Sequence, residues 1–230
     1  MKNDATIKLD QGGINSRILA KEAKTDFRRV EAASRKIPTV FGSPEVKRLF
    51  VRFFNSMQLN MHFISVMARA KLPQETVEKI ENSLQEQIDK FTAEVNKAID
   101  GAEALCIANG IINLASYDAE PLAIEAKVIS KFGRRYLELM GKVDQLMPML
   151  ETLAIDEVIE LRELALRKAQ FKRMVRQVAG ATRNFKTGLQ RRMNTASEVE
   201  KKLFLTVGNS ANNLAASGSS DVNATTQTIA

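Results

Sequence analysis

One segment patterned as a strand, in a chain otherwise patterned for helices, limits the possible folds more than any other feature. In "PLAIEAKVISKFGRRYLELM", residues 121–140, apolar residues alternate with others from Leu122 to Ile129 and then return every three or four from Phe132 onward. A single strand leaves a row of backbone N–H and C=O groups without partners, so it must find a second strand. One face carries Leu122, Ile124, Ala126 and Val128 and the other Ala123, Glu125, Lys127 and Ile129, which makes one side apolar and the other largely polar. Two sources for the partner are open. A second copy of the chain could pair antiparallel, which would make Leu122, Ile124, Ala126 and Val128 dimerisation residues. Alternatively "ATIKLD" (5–10) or "KIPTV" (36–40) of the same chain could supply the strand. A two-stranded ribbon fits the DNA major groove, where a lysine can donate to guanine and a glutamate can accept from cytosine. In the dimer, Ala123, Glu125 and Lys127 would face the bases.

The remainder predicts long helices. Residues 1–42 form a polar arm of mixed charge, with room for a short strand. A helix starts at "SPEVKRLF", where Ser43 can cap, Pro44 suits the first turn and Glu45 favours the positive end of the dipole. It runs to about Ala70, Pro73 punctuates, and a second helix follows to about Asn109, with Gly110 as its stop. In that second helix Val77, Leu84, Phe91, Ala98 and Leu105 step by seven and Ile88, Val95 and Ala102 fill the alternate seam, so residues 43–110 read as a helical hairpin or coiled-coil face. After a loop and the strand comes a helix from Lys131 to Met147, a break near Pro148, and a last helix from about Asp156 to Arg192. There Leu164, Phe171, Val178 and Phe185 step by seven, supported by Val175 and Leu189. Residues 207–230, small and polar, read as a disordered tail.

Charge is segregated along this plan. The net charge is +7, yet residues 74–120 hold ten acids and three bases, whereas residues 164–193 hold nine bases and no acid. Such a chain presents a basic end to a polyanion and keeps its acidic part away. Within the basic stretch Lys172, Arg176, Arg183 and Lys186 fall in roughly 80° of helical arc, and Arg173 lies beside them. Lys131, Arg134 and Arg135, at the start of the helix after the strand, would sit beside the same groove and hold phosphates.

Enzyme chemistry finds little support. One histidine, His62, lies within an apolar helix and the one cysteine, Cys106, is far from it in sequence, so no metal cluster and no nucleophile–base pair has its parts in evident spacing. Gly12 and Gly13 lack the strand–helix context of a phosphate loop. No cofactor, metal or small-molecule ligand is expected. The longest charge-free apolar run, the 16 residues between Arg52 and Arg69, is too short and too polar for a spanning helix of roughly 20 residues, so no membrane partner is expected. The N-terminus lacks the apolar stretch of a secretory signal, and a lone cysteine suits a reducing compartment, so a cytoplasmic protein is expected.

Strand, helix, break, helix is the order of the ribbon-helix-helix regulators, which bind DNA as intertwined dimers. In detail, "YDAEPLAIEAKVISKFGRRYLELMGKVDQLMPMLETLAIDEVI" and "RNFKTGLQRRMN" resemble a family of proteins carried by integrating conjugative elements and large conjugative plasmids, over roughly residues 43–193. The resemblance implies a fold related to ribbon-helix-helix activators, with residues 118–193 as the DNA-binding unit, and a transcriptional activator of conjugative-transfer genes. Asp156, Glu157 and Glu160 would repel a phosphate from the start of the last helix, so the clamps are expected at Lys131, Arg134, Arg135 and the basic stripe. The expectation is therefore a mainly α, homodimeric, sequence-specific binder of double-stranded DNA. The alternative is a coiled-coil adaptor of the conjugation machinery that uses the seam from Val77 to Leu105.

Overall fold

The structure, a computed structural model, describes residues 32–217 together with Gly13, Asn15, Ser16, Arg17, Phe27 and Val30, with side chains as far as Glu198. The candidate strand "ATIKLD" lies outside the described residues. The chain divides into two compact units, residues 1–187 and 188–230. The first holds strand β1 (Arg35–Phe41), helix α1 (44–68), helix α2 (Gln74–Ala108), strand β2 (Leu122–Val128), helix α3 (Lys131–Ile155) and the greater part of the described side chains of helix α4 (Leu161–Ser217). The second begins within α4 and continues it to Ser217, past the end expected at Arg192, so the first residues of the segment expected to be a tail are helical.

The strand β2 finds its partner within its own chain. β1 pairs antiparallel with β2 along its whole length, from Arg35 opposite Val128 to Phe41 opposite Leu122. "KIPTV" is therefore the partner, and the expectation of a strand shared between two copies is corrected. Leu122, Ala126 and Val128 are buried and Ile124 half-buried against helices of the same chain, so these four side chains are core rather than a junction between copies. Both edges are also blunted against further pairing. Pro38 has no N–H to offer on β1. On β2 the buried Gln58 of α1 occupies one end of the outer edge: its Nε2 donates to Lys127 O at 2.8 Å and its Oε1 accepts from Ile129 N at 3.0 Å.

Ser43 starts α1 as expected, its hydroxyl accepting from Val46 N at 3.3 Å. The sequence does not foretell the second fastening. Asp144 of α3 accepts from Gly42 N and Ser43 N, each at 2.9 Å, and thereby ties the β1–α1 corner to α3. α1 runs continuously to Ala68 but widens into π turns over Phe50–Phe54 and Phe63–Ala68. Its Phe50 and Phe54 join Phe41 of β1 and Tyr136 of α3 in a row of rings, with centroids 5.2 Å apart for Phe41 and Phe50, 4.8 Å for Phe50 and Phe54, and 6.5 Å for Phe54 and Tyr136. Tyr136 is fully buried and donates to Val175 O at 2.8 Å, which joins α3 to α4.

α2 packs along α3, so its seam is occupied inside the chain. Val77, Leu84, Ile88, Phe91, Val95 and Ala102 are buried, while Ala98 and Leu105 are only half-buried and Ile99 and Cys106 take their places. A straight α-helix drifts about 20° per heptad against a seven-residue repeat, so the late positions of a long repeat rotate out of the seam. α4 shows the same drift, with Leu164, Phe171 and Val178 buried and Phe185 half-buried. α2 ends as expected at Gly110, whose φ of +69° allows Ile111 N to donate to Cys106 O at 2.9 Å.

The break expected at Pro148 does not occur, and α3 continues to Ile155. Met147, Met149, Leu150 and Leu153 are all buried around the proline, and burying several such side chains outweighs an interior-proline penalty of about 3 kcal/mol. The helix stops instead at Glu157, at a φ of +56°, where Val158 N donates back to Leu153 O at 2.8 Å. α4 accordingly begins at Leu161 rather than near Asp156.

Candidate nucleic-acid interface

The pairing of β1 with β2 fixes which side chains share a face. Because sides alternate along a strand, Lys36, Pro38 and Val40 of β1 stand opposite Lys127, Glu125 and Ala123 of β2, and all six are exposed. The other side, led by Phe41, Leu122, Ala126 and Val128, packs into the core. The ribbon is thus rooted by its apolar face and presents its polar one. Lys36 Nζ lies 3.3 Å from Glu125 Oε2, an exposed pair across the two strands. Lys127 Nζ lies 5.3 Å from the centre of the Phe27 ring, so a residue of the N-terminal arm reaches the ribbon.

The end of the ribbon that carries Arg35 and Val128 is the more basic. Ser130 caps α3 there, its hydroxyl accepting from Gly133 N at 3.0 Å. α3 has no acid in its first turn, so the positive helix end adds to the charge of Lys131 and Arg134. A shallow cavity of about 420 Å³ beside them is lined by Arg35, Lys131 and Arg134 and by Ser34 and Ser130. Gln58 holds this corner, and a Cβ added at Gly133 would collide with its Oε1 and come within 3.0 Å of its Cδ. Lys131 Nζ sits 5.0 Å from the Phe132 ring centre. Arg134 pairs with Glu138 on the same helix, and Arg135 turns away to pair with Asp89 of α2. Of the three basic residues expected to hold phosphates here, Lys131 alone has no acidic partner among the described residues.

The basic stripe on α4 is positioned separately. Its side-chain neighbours lie on α1 and α3 rather than on the ribbon. Lys168 bridges Glu45, at 2.7 Å, and Glu151. Burial pushes the Glu45 carboxyl up, but the hydrogen bond and charge of Lys168 outweigh it, and the group titrates below its ordinary range. Burial lowers Lys168 and its bonds to Glu151 and Glu45 more than reverse this, so its pKa is raised. Tyr117, beside these groups, is pushed up by burial and by the Glu45, Glu151 and Asp144 carboxylates. Lys172 is half-buried on the same side and Lys186 lies 5.4 Å from the Phe63 ring centre. Arg173, Arg176 and Arg183 are exposed and, among the described residues, have no acidic partner. Arg176 Nε donates only to Lys172 O, at 3.2 Å.

The sequence-predicted residues therefore fall into two groups. Ala123, Glu125, Lys127, Lys131 and Arg134 gather on or beside the ribbon, whereas Lys172, Arg173, Arg176, Arg183 and Lys186 follow α4. Arg35, Lys36, Pro38 and Val40, half of the ribbon, are not among the expected contact residues, although "KIPTV" is one of the partner strands the sequence offers. The signal was the alternation in "RKIPTVF", which a proline and a short length obscured. No three His, Cys, Asp or Glu side chains gather as a metal-binding set among the described residues, and none of the described helices is long and apolar enough to cross a membrane.

No protein-family model matches the chain, and no curated protein matches it either. Among solved structures the chain shares its fold with a protein to which it is 21% identical, at a TM-score of 0.65, over 75% of this chain and 86% of the other. That structure is selenomethionine-containing AcaB from uropathogenic E. coli. A likeness at this identity carries the mainly helical architecture with its two-stranded sheet.

Proposed function

We propose that this protein is a DNA-binding transcriptional regulator, in which the outward face of the β1–β2 ribbon enters the major groove and basic side chains hold the backbone on either side. The observation that carries the reading is the ribbon itself. It is a complete antiparallel pair, rooted by one apolar face, with Lys36, Glu125 and Lys127 exposed on the other. The major groove is about 12 Å wide and admits a two-stranded ribbon, and lysine and glutamate are side chains that distinguish guanine from cytosine there. Arg35, Lys131 and Arg134 would take phosphates at the groove's edge, and Arg173, Arg176 and Arg183 those further along.

One chain brings a whole ribbon, so a second copy is not needed to complete it. The resemblance to proteins of conjugative elements, together with the AcaB-like fold, makes conjugative-transfer genes the natural target and activation the natural sign. We read the chain as a binder rather than an enzyme, acting in the cytoplasm. The adaptor alternative loses its surface, since Val77, Leu84, Phe91 and Val95 are buried within the chain. Footprinting of the purified protein on the DNA of its own replicon tests the proposal. A protected site upstream of transfer genes is the expected outcome, and uniform cleavage at protein concentrations well above micromolar would overturn it.

A further inference from the structure

The outer face of the ribbon is not uniform along its length, and the difference bears on what it reads. At one end Lys36 and Lys127 stand opposite each other, with Glu125 one pair further along. At the other end stand Val40, which is 62% exposed, and Ala123, with Pro38 leading towards them. An isolated exposed apolar residue is ordinary, but here three share one face of a structure whose other face supplies the core. From this division we infer that the ribbon reads a bipartite half-site, in which a G·C pair under Lys36, Glu125 and Lys127 is followed by a thymine whose C5-methyl group packs on Val40 and Ala123. The inference rests on the ribbon-in-groove reading above and specifies its target.

The chemistry at each end is selective. Lysine donates to guanine O6 and N7 and a carboxylate accepts from cytosine N4, and these atoms lie side by side on the major-groove edge of one base pair. The Lys36–Glu125 pair, spaced at 3.3 Å, can open onto that edge without leaving either charge unpartnered. The other end offers no hydrogen-bonding side chain, and the apolar feature of the major groove is the thymine methyl. Lys36 and Val40 are four residues apart on one strand, about 13 Å at the rise of a β-strand, which corresponds to about four base pairs along the duplex.

Selection from a library of random duplexes with the full-length chain, followed by thymine-to-deoxyuracil replacement in the enriched sequence, tests this. Enriched duplexes should hold a G·C pair with an A·T pair about four base pairs away. Removing the methyl should weaken binding about fourfold, the factor for one buried methyl-sized group. Val40→Ser, at an exposed position that leaves the core intact, should bind thymine and deoxyuracil duplexes with a difference clearly smaller than that of the unaltered protein. Enrichment without an A·T preference at that spacing, or a deoxyuracil duplex bound as well by the unaltered protein, overturns the bipartite half-site while Lys127→Ala still reduces selectivity. If no sequence is enriched, or Lys36→Ala and Lys127→Ala leave the enriched set unchanged, the ribbon reading itself fails, and this inference with it.

Discussion

The ribbon and the outer face of α4 are both basic, but they hold their charge in different ways. Around the ribbon some cations have acidic neighbours, Lys36 with Glu125 and Arg134 with Glu138, and Arg135 turns away to Asp89, while Arg35, Lys127 and Lys131 have no acidic partner among the described residues. On α4, Lys168 is bound by Glu45 and Glu151 at the helix's inner side, and beyond it Arg173, Arg176 and Arg183 stand exposed without acidic partners among the described residues. A charge beside an opposite charge is attracted weakly to a distant phosphate, and its partner favours one contacting group over another. An unpartnered arginine attracts any phosphate within a Debye length, about 8–10 Å at ordinary salt. Under the proposed DNA-binding reading, discrimination would fall to the ribbon and sequence-independent affinity to α4.

The largest expected effect comes from detaching α4. Lys168→Met leaves Glu45 and Glu151 facing each other without their cation, at sites that are mostly but not wholly buried. It should cost about 2 to 3 kcal/mol, below the 3–5 of a fully buried pair, and lower the melting temperature by roughly 5 to 10 °C. The same contact makes stability depend on acid. Because Glu45 titrates lower in the folded than in the unfolded chain, its contribution is present above the ordinary carboxylate range and is lost as pH falls through its depressed folded pKa. Thermal melts of the unaltered protein and of Glu45→Gln at a series of pH values check this, and the variant should show the shallower decline between pH about 5 and 3.

Next in size is the effect on recognition. Lys127→Ala should weaken binding to the cognate duplex by about 2 kcal/mol and to a scrambled duplex much less, because a base contact contributes only where the right base edge is present. Equal losses on both duplexes, measured by titration, would place Lys127 with the phosphate contacts instead. A structural variant sharpens the same side of the comparison. Gly133→Ala drives a methyl into the buried Gln58, which holds Lys127 O and Ile129 N, and should destabilise the protein by about 1 to 2 kcal/mol. Its chemical denaturation midpoint should fall, whereas Gly101→Ala, with open space around it, should raise the midpoint or leave it unchanged. The smallest effect belongs to neither basic surface. Glu157→Gly relieves a left-handed residue between α3 and α4 and should stabilise by about 0.5 to 1 kcal/mol with DNA affinity unchanged.

Local chemistry was legible wherever a short stretch decides the outcome. Ser43 and Gly110 start and stop their helices because capping and a left-handed turn need only neighbouring residues. The polar side of β2 was equally plain, since alternation alone sorts Ala123, Glu125 and Lys127 from Leu122, Ala126 and Val128. The outcomes settled by distant partners were not legible. Pro148 stays inside a helix because of what buries the residues around it. β2 pairs with β1 from over eighty residues earlier, a contact that no local pattern favours over pairing with a second copy. The stripe on α4 showed its charge in sequence, but the capture of Lys168 by Glu45 and Glu151, and the freedom of Arg173, depend on which way α1 and α3 face.

The division of labour between the two surfaces can be tested in a single titration series. Affinities for a cognate and a scrambled duplex, taken at several salt concentrations, are compared among the unaltered protein, the pair Lys36→Ala with Lys127→Ala, and the triple Arg173→Ala, Arg176→Ala and Arg183→Ala. The ribbon pair should bring the cognate-to-scrambled ratio close to one. The α4 triple should keep that ratio while it weakens both duplexes and lowers the slope of log affinity against log salt by up to about three units, close to one per lost phosphate contact. A ratio that survives the ribbon pair and collapses in the α4 triple would contradict the account and move recognition to α4.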